Sequence, residues 1–197
     1  MASLTPRQLA DLPQSYRMLE LGCGQVKRWE RSIAVDFSPR SRTADIIHDL
    51  NSVPWPFDNS SFDGIIAEHV LEHLGPIVPI VEEAHRILKP GGILYVEVPH
   101  FSSHCYYTDP THTHPFSARS FDYFVPPSPG SDPSLFDFEY SGTARFALRY
   151  VRLNPACRGA FRRWIARRAN ARMFKYERDW AWIFPMESIN FELAAIK

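Results

Sequence analysis

The sequence predicts an α/β fold built on a mostly parallel sheet, and two observations support this class. Short apolar runs alternate with turns and with an amphipathic helix, which is the order of strand–helix–strand units. Several runs also end in an acid or a histidine, and the carboxyl ends of parallel strands meet at one edge of a sheet. At 197 residues the chain is long enough for a substantial core. We therefore expect a single domain over residues 1–197.

The first predicted strand covers about residues 17–21 and runs into the glycine turn Gly22-Cys23-Gly24. A second strand, 32–35, closes on Asp36, and the link between them has room only for a loop or one helical turn. Glycine lets a ligand approach the bare backbone. A lone acid at the end of the next strand suits a pair of ribose hydroxyls. The pattern predicts an adenosine-containing cofactor.

The other elements follow from periodicity and from turn residues. Lys89-Pro90-Gly91-Gly92 is expected to stop a helix, with glycine in the left-handed cap. The remaining predictions are strands at 44–48, 64–67, 93–98, 145–153 and 188–196, and helices at 77–88, 117–124 and 158–178.

Charge is unevenly distributed, although the net charge is zero. Residues 1–140 hold 10 Lys and Arg against 18 Asp and Glu, whereas residues 141–197 hold 12 against 4. The excess of basic residues lies in a helical insertion at about 155–180, with Phe161 and Trp164 expected on its buried stripe. Three interpretations of this insertion remain open: a solvated face, an element that attracts an anionic acceptor, or a membrane-surface helix. Nucleic acid is disfavoured because the aromatic residues are not interleaved with the charges.

Several motifs are absent from the sequence, and their absence narrows the expected cellular compartment and the expected cofactor. There is no apolar run long enough to span a bilayer and no signal-peptide pattern. The three cysteines are widely spaced, which fits a cytoplasmic, reducing location and no disulfide framework. The third glycine of a nicotinamide-binding turn is missing, and so is a Walker-type phosphate loop.

Taken together, these motifs resemble those of the class I S-adenosylmethionine-dependent methyltransferases, within about residues 17–99. The resemblance is closest to the small type-11 branch associated with glycan and lipopolysaccharide genes. It implies a Rossmann-like, mostly parallel seven-stranded sheet with helices on both faces and an antiparallel C-terminal hairpin. The matching motifs are Leu19-Glu20-Leu21-Gly22-Cys23-Gly24, Asp36, Asp49-Leu50-Asn51, the Glu-His-Val-Leu-Glu-His run that begins at Glu68, and Arg86 to Gly92.

The resemblance also implies a set of cofactor-binding residues for S-adenosyl-L-methionine. The glycine turn would face the carboxypropyl and ribose groups, Glu20 would orient the amine, and Asp36 would bind the ribose hydroxyls. Asp49 and Leu50 would flank the adenine. The implied set is Glu20, Gly22, Cys23, Gly24, Asp36, Asp49, Leu50, Ala67, Glu68 and His69.

A histidine-, proline- and aromatic-rich segment at about 100–130 is the predicted acceptor wall. Methyl transfer to a hydroxyl or amine needs a base, and histidine has a suitable pKa. We predict His112 or His100 as that base, with Asp109 orienting a histidine. Asp109 capping a turn is an equally weighted alternative. A metal site among these histidines is chemically feasible but is not the prediction.

The sequence therefore predicts a cytoplasmic S-adenosylmethionine-dependent methyltransferase for a small-molecule or glycan-like acceptor. The alternatives are a nucleic-acid or protein methyltransferase and a non-catalytic cofactor- or partner-binding module. A membrane surface is not required as a partner.

Overall fold

A computed structural model describes residues 12–126, 142–156 and 159–197. Seven strands form one sheet in the order β3-β2-β1-β4-β5-β7-β6. Strands β1 to β5 are parallel, and β7 pairs antiparallel with both β5 and β6. The predicted sheet and C-terminal hairpin are confirmed. The strands are β1 Met18–Leu21, β2 Ile33–Asp36, β3 Ile46–Ile47, β4 Phe62–Glu68, β5 Leu88–Pro99, β6 Arg145–Asn154 and β7 Ser188–Ile196.

Four α-helices and two short 3-10 turns lie in the described part of the chain. Of the links between parallel strands there, only the β4–β5 link contains an α-helix, and β1 connects to β2 through turns, as expected. The α-helices are α1 Ile77–Ile87, α2 His104–Thr108, α3 Ala160–Ala171 and α4 Met173–Asp179, and the 3-10 turns are Leu71–His73 and Asp122–Phe124.

Alternation along the strands divides the core between the two faces of the sheet. On β5, Leu94 and Val96 join the main cluster, which also contains buried side chains of α1 and α3. Tyr95 points to the opposite face and packs against a smaller cluster that includes Met18 and Trp29. Among the described residues that second face is covered by Trp29, Leu12 and Tyr16.

Three predicted elements differ from the structure. Residues 117–124 contain only the 3-10 turn Asp122–Phe124. The predicted helix 158–178 is two helices, because the backbone of Arg172 leaves the helical region with φ −149° and ψ 58°. Helix α1 ends at Ile87, and Gly91 takes its positive φ of 74° within the irregular start of β5 instead of capping the helix.

Candidate functional site

Acids in the last two residues of β1, β2 and β4 lie at one edge of the sheet. In the register, Leu21 pairs with Val35 on one side and with Ala67 on the other. Glu20 therefore lies one residue before the level of Leu21, and Asp36 and Glu68 lie one residue after it. We call this edge the carboxyl rim.

The glycine turn after β1 combines a packing requirement with open space. Both glycines have left-handed backbones, with φ of 61° for Gly22 and 59° for Gly24. A Cβ on Gly22 would lie 2.6 Å from Cγ2 of Val70, whereas a Cβ on Gly24 would meet no atom within 4 Å. Gly22 is therefore needed for close packing, and Gly24 leaves a bare backbone surface that a ligand can approach.

Asp36 connects the two sides of this turn and is 6% exposed. One oxygen, Oδ2, accepts the backbone N–H of Gly24 at 2.8 Å, and Oδ1 accepts that of Ser38 at 2.8 Å. Each carboxylate oxygen has two acceptor positions. Asp36 can thus hold the turn and still accept a hydrogen bond from each of two ribose hydroxyls.

Glu20 holds the loop between β1 and β2. Its two oxygens accept the backbone N–H of Arg28 at 2.9 Å each, and Oε2 accepts the Ser32 hydroxyl at 3.1 Å. The Arg28 guanidinium pairs with Glu68. Burial raises the pKa of Glu68, while Arg28 opposes that rise. Sequence reasoning missed Arg28, for which the only signal was its position in an unusually short link.

The remaining predicted cofactor residues have structural contacts at this edge. Asp49 Oδ1 accepts the backbone N–H of Asn51 at 2.9 Å and so closes a turn. Leu50 and Ala67 are buried in the main core. The Cys23 thiol is buried, 3.6 Å from the hydroxyl of Thr43. That hydroxyl also donates to the Gly24 carbonyl at 3.1 Å.

These features fit S-adenosyl-L-methionine on two counts. The space beside Gly24 is where a Cβ would intrude on a bound nucleoside, and Asp36 lies directly against that backbone. When bound, the cofactor supplies a methyl group already activated on a sulfonium. The protein's own task is then to align an acceptor with it.

A cavity of about 700 Å³ lies next to the rim, beyond β4 and β5. His69, which follows β4, lines it, and the backbone N–H of His69 donates to the Glu97 carbonyl at 2.8 Å. Among the described residues its wall contains no lysine or arginine. Its other chemically active side chains include Glu72, His73, Glu97, Asp109, His112 and Glu187.

His112 is the predicted base that the structure places in this cavity. Its side chain is 8% exposed, and Nδ1 lies 2.9 Å from the carbonyl oxygen of Tyr106. A carbonyl only accepts, so Nδ1 carries the proton and Nε2 of the neutral ring has a free lone pair. Nε2 lies 4.0 Å from Oε1 of Glu72.

Asp109 lines the cavity but does not hydrogen-bond to a histidine ring. Its Oδ1 accepts the backbone N–H and the hydroxyl of Thr111 at 2.9 and 2.7 Å. These two hydrogen bonds lower the pKa of Asp109. Asp109 therefore caps a turn, which was the alternative expectation. The group that orients His112 is the Tyr106 carbonyl.

His100 is not brought into the cavity wall. The ring is fully buried, with Nδ1 2.7 Å from the Ser102 hydroxyl and Nε2 3.1 Å from Oε1 of Glu177 on α4. Both ring nitrogens are therefore engaged within the protein. This arrangement favours a packing role over contact with an acceptor.

Glu72 is a site residue that sequence reasoning did not select. It is fully buried, and its Oε1 lies 3.2 Å from Nδ1 of His69. This hydrogen bond raises the pKa of His69. Oε2 of Glu72 has no hydrogen-bond partner among the described residues. The available signal was the repeated Glu-His pair at residues 68–69 and 72–73.

The basic segment differs from its prediction in which side chains it buries. Phe161 and Trp164 are 62% and 54% exposed, so their placement on a buried stripe is wrong. Ile165 and Ala169 are the buried side chains of α3. The aromatic rings thus lie among the arginines, and their position no longer argues against a surface on which nucleic-acid bases could stack. Among the described helices none is long and apolar enough to cross a bilayer.

Comparison with known proteins gives one family and a set of similar folds. Residues 19–96 match a family model described as a methyltransferase domain, of type 11. This span contains the glycine turn, Asp36 and the Glu68–His73 run. No curated protein matches the sequence.

Solved structures with similar folds include three methyltransferases. An S-adenosylmethionine-dependent methyltransferase from Archaeoglobus fulgidus aligns with a TM-score of 0.62 and 17% identity, over 96% of this chain and 90% of that one. A second such enzyme, from Mesorhizobium loti, aligns with a TM-score of 0.51 and 18% identity, over 96% of this chain and 95% of that one. A Haloferax volcanii methyltransferase, solved with the Trm112 activator, aligns with a TM-score of 0.59 and 18% identity, over 96% of this chain and 87% of that one. At these identities the structural likeness shows the fold.

Proposed function

We propose that this protein is an S-adenosylmethionine-dependent methyltransferase and that it transfers a methyl group to a hydroxyl of a small-molecule or glycan-like acceptor. The observation that carries this proposal is the cavity beside the carboxyl rim, with the free Nε2 of His112 in its wall. The acceptor would lie there with its reacting oxygen turned toward the methyl group. His112 would help to remove the hydroxyl proton.

The composition of the cavity wall supports a neutral, hydroxyl-rich acceptor. Carboxylates accept hydrogen bonds from sugar hydroxyls, and the wall also includes the hydroxyls of Thr108 and Ser188. A wall of acids without a lysine or arginine among the described residues disfavours an anionic group at the reacting end. The predicted attraction for an anionic acceptor can thus act only farther away, at α3 and α4.

The cofactor residues take the roles that their contacts allow. Asp36 would accept the ribose hydroxyls beside the open backbone of Gly24. Glu20 would act indirectly, because it shapes the loop that carries Arg28. Asp49, at the far end of the rim, would face the adenine.

A nucleic-acid acceptor is the second candidate, favoured by the exposed rings of α3. Phe161 and Trp164 stack with centroids 6.2 Å apart, and the guanidinium of Arg168 lies over Trp164. Single-stranded nucleic acid binds to such aromatic and basic surfaces. Binding would weaken steeply with salt and would be lost in the double variant Phe161→Ala/Trp164→Ala.

The test is transfer of a labelled methyl group from S-adenosylmethionine to panels of polyols, oligosaccharides and short RNAs. We expect labelled oligosaccharide or polyol with the wild-type protein and almost none with His112→Ala. His85→Gln is the matched control, since His85 bonds to the carbonyl of Ile196 outside this cavity. Label on RNA alone would select the second candidate. S-adenosylhomocysteine that fails to bind in calorimetry would contradict the cofactor site itself.

A further inference from the structure

We propose that Glu72, His73 and His112 bind a divalent transition-metal ion of the Zn²⁺ or Co²⁺ class in the acceptor cavity. The proposal rests on the proposed function, because it assigns a cofactor to the acceptor side of the same site. It is carried by three independent features: the spacing of the ligand atoms, the hydrogen bonds behind the two histidines, and the unpartnered carboxylate oxygen.

The spacing brings three ligand atoms together. One donor atom from each of Glu72, His73 and His112 lies within 4.8 Å of the other two. Ligands of tetrahedral zinc at their usual bond lengths are about 3.4 Å apart, so the side chains need to move by about an ångström. Two histidines and one glutamate form a known catalytic zinc ligand set, which leaves a fourth position open. Imidazole ligands favour these ions over Mg²⁺ and Ca²⁺.

The hydrogen bonds behind the two histidines select the tautomer that a metal requires. Nδ1 of His73 lies 2.8 Å from the Thr111 hydroxyl, which itself donates to Asp109 at 2.7 Å. The Thr111 oxygen must therefore accept the Nδ1 proton of a neutral His73. The Tyr106 carbonyl does the same for His112. Both Nε2 lone pairs remain available, and such outer hydrogen bonds typically orient metal-bound histidines.

The third feature is the state of Glu72. This carboxylate is fully buried, and Oε2 accepts no hydrogen bond from the described residues. A buried carboxylate without a full set of partners is costly, and the hydrogen bond with His69 engages only Oε1. A bound cation would supply the partner that Oε2 lacks.

The ion would act by binding the acceptor hydroxyl at its open position. There it lowers the pKa of that hydroxyl, and the proton leaves to solvent. The oxygen then forms its bond to the methyl carbon as the carbon–sulfur bond breaks, and S-adenosylhomocysteine is the second product. His112 would thus help to remove the proton through the ion that it binds.

A second trio, His104, Cys105 and Glu187, has the spacing of metal ligands but less favourable chemistry, and only its Cys105 and Glu187 line the cavity. The Cys105 thiol donates to Oε1 of Glu187 at 2.8 Å and so keeps its proton. The side chain of His104 is 78% exposed. His104→Ala is therefore a suitable control for the position of the ion.

The experiment is a Co²⁺ titration of protein that has been stripped with a chelator and dialysed, followed by calorimetry and visible absorption. We expect one ion to bind and give ligand-field bands. Affinity should fall about 100-fold or more in Glu72→Gln and His73→Ala. Thr111→Val, on an exposed turn, should cost about 10- to 100-fold because it removes only the orienting hydrogen bond. His85→Gln and His104→Ala should match the wild type.

The metal site would be rejected if Co²⁺ did not bind, if Glu72→Gln bound it as well as the wild type, or if His104→Ala abolished binding. Calorimetry with S-adenosylhomocysteine on the same stripped protein separates the two proposals. Cofactor binding without Co²⁺ binding would remove the metal and leave the proposed function intact. Methyl transfer by the stripped protein at the full rate would also reject the metal.

Discussion

The candidate site has two halves that use their polar groups differently: the carboxyl rim, which we call the cofactor half, and the cavity next to it, which we call the acceptor half. In the cofactor half, both oxygens of Glu20 and both oxygens of Asp36 accept hydrogen bonds from the protein, mostly from loop backbone. In the acceptor half, Oε2 of Glu72 has no partner among the described residues. The Nε2 atom of His112 likewise keeps a free lone pair.

This difference indicates which task each half performs. Carboxylates that bind the backbone shape a loop, and a ligand uses only their remaining acceptor positions. Groups that remain unpaired in a buried place are costly, and they are kept where chemistry needs them. Substitutions in the cofactor half should therefore change binding and stability together. Substitutions in the acceptor half should change turnover with little effect on cofactor affinity.

The largest effect is expected for His112→Ala. Turnover should fall by about 10²- to 10⁴-fold, the usual contribution of a positioned proton-transfer group. Affinity for S-adenosylhomocysteine should remain nearly the same, because His112 lies in the acceptor half. Steady-state kinetics and calorimetry measure the two quantities. A loss of cofactor affinity comparable to the loss of turnover would show that the halves are not separate.

Asp36→Ala should weaken S-adenosylhomocysteine binding by about 1–3 kcal/mol, because the ribose loses its acceptor and the glycine turn loses its support. The melting temperature should fall as well, since two backbone N–H groups lose their partner. Asp58→Ala, in an exposed loop, is the control and should leave both quantities unchanged. Unchanged affinity in Asp36→Ala would contradict the assignment of the ribose site.

Gly24→Ala separates backbone strain from ligand contact. Gly24 and Gly91 both have positive φ and open space at the Cβ position. Alanine at either position should destabilise the fold by about 1–2 kcal/mol. Only Gly24→Ala should also weaken S-adenosylhomocysteine binding, because its methyl group enters the cofactor space. Equal affinities of the two variants would place the nucleoside elsewhere.

The smallest effect is expected for the stability of Glu72→Met in chelator-stripped protein. Removing an incompletely paired buried carboxylate should raise the free energy of unfolding by about 1 kcal/mol, or the melting temperature by roughly 2–4 °C. Glu83→Met is the matched control, because Glu83 is buried but pairs with Arg86 and the backbone of Trp55. That variant should lose stability in thermal unfolding. A loss of similar size in both variants would mean that Glu72 is fully satisfied.

The strand ends could be predicted from the sequence because one physical rule positions them. Apolar runs ending in Glu20, Asp36 and Glu68 had to meet at one rim once the sheet was parallel. The last strand, 188–196, was predicted with the bounds that the structure shows. The short loop between β1 and β2 followed from its length alone.

The buried face of the basic helix and the placement of the two candidate histidines depend on tertiary contacts that the sequence does not reveal. The break at Arg172 divided one expected helix into two, and Phe161 and Trp164 are exposed although they were expected on a buried stripe. His100 and His112 are equally plausible bases in the sequence. Only the burial of His100 against Glu177 separates them.

The central claim is that the carboxyl rim binds the nucleoside of S-adenosylmethionine with its sulfur turned toward the cavity of His112. The most direct test is a crystal structure of the protein with S-adenosylhomocysteine. We predict ribose hydroxyls within hydrogen-bonding distance of Asp36, the nucleoside against Gly24, and the sulfur at the mouth of the cavity. A nucleoside bound away from Gly24, or a sulfur directed away from His112, would contradict the claim.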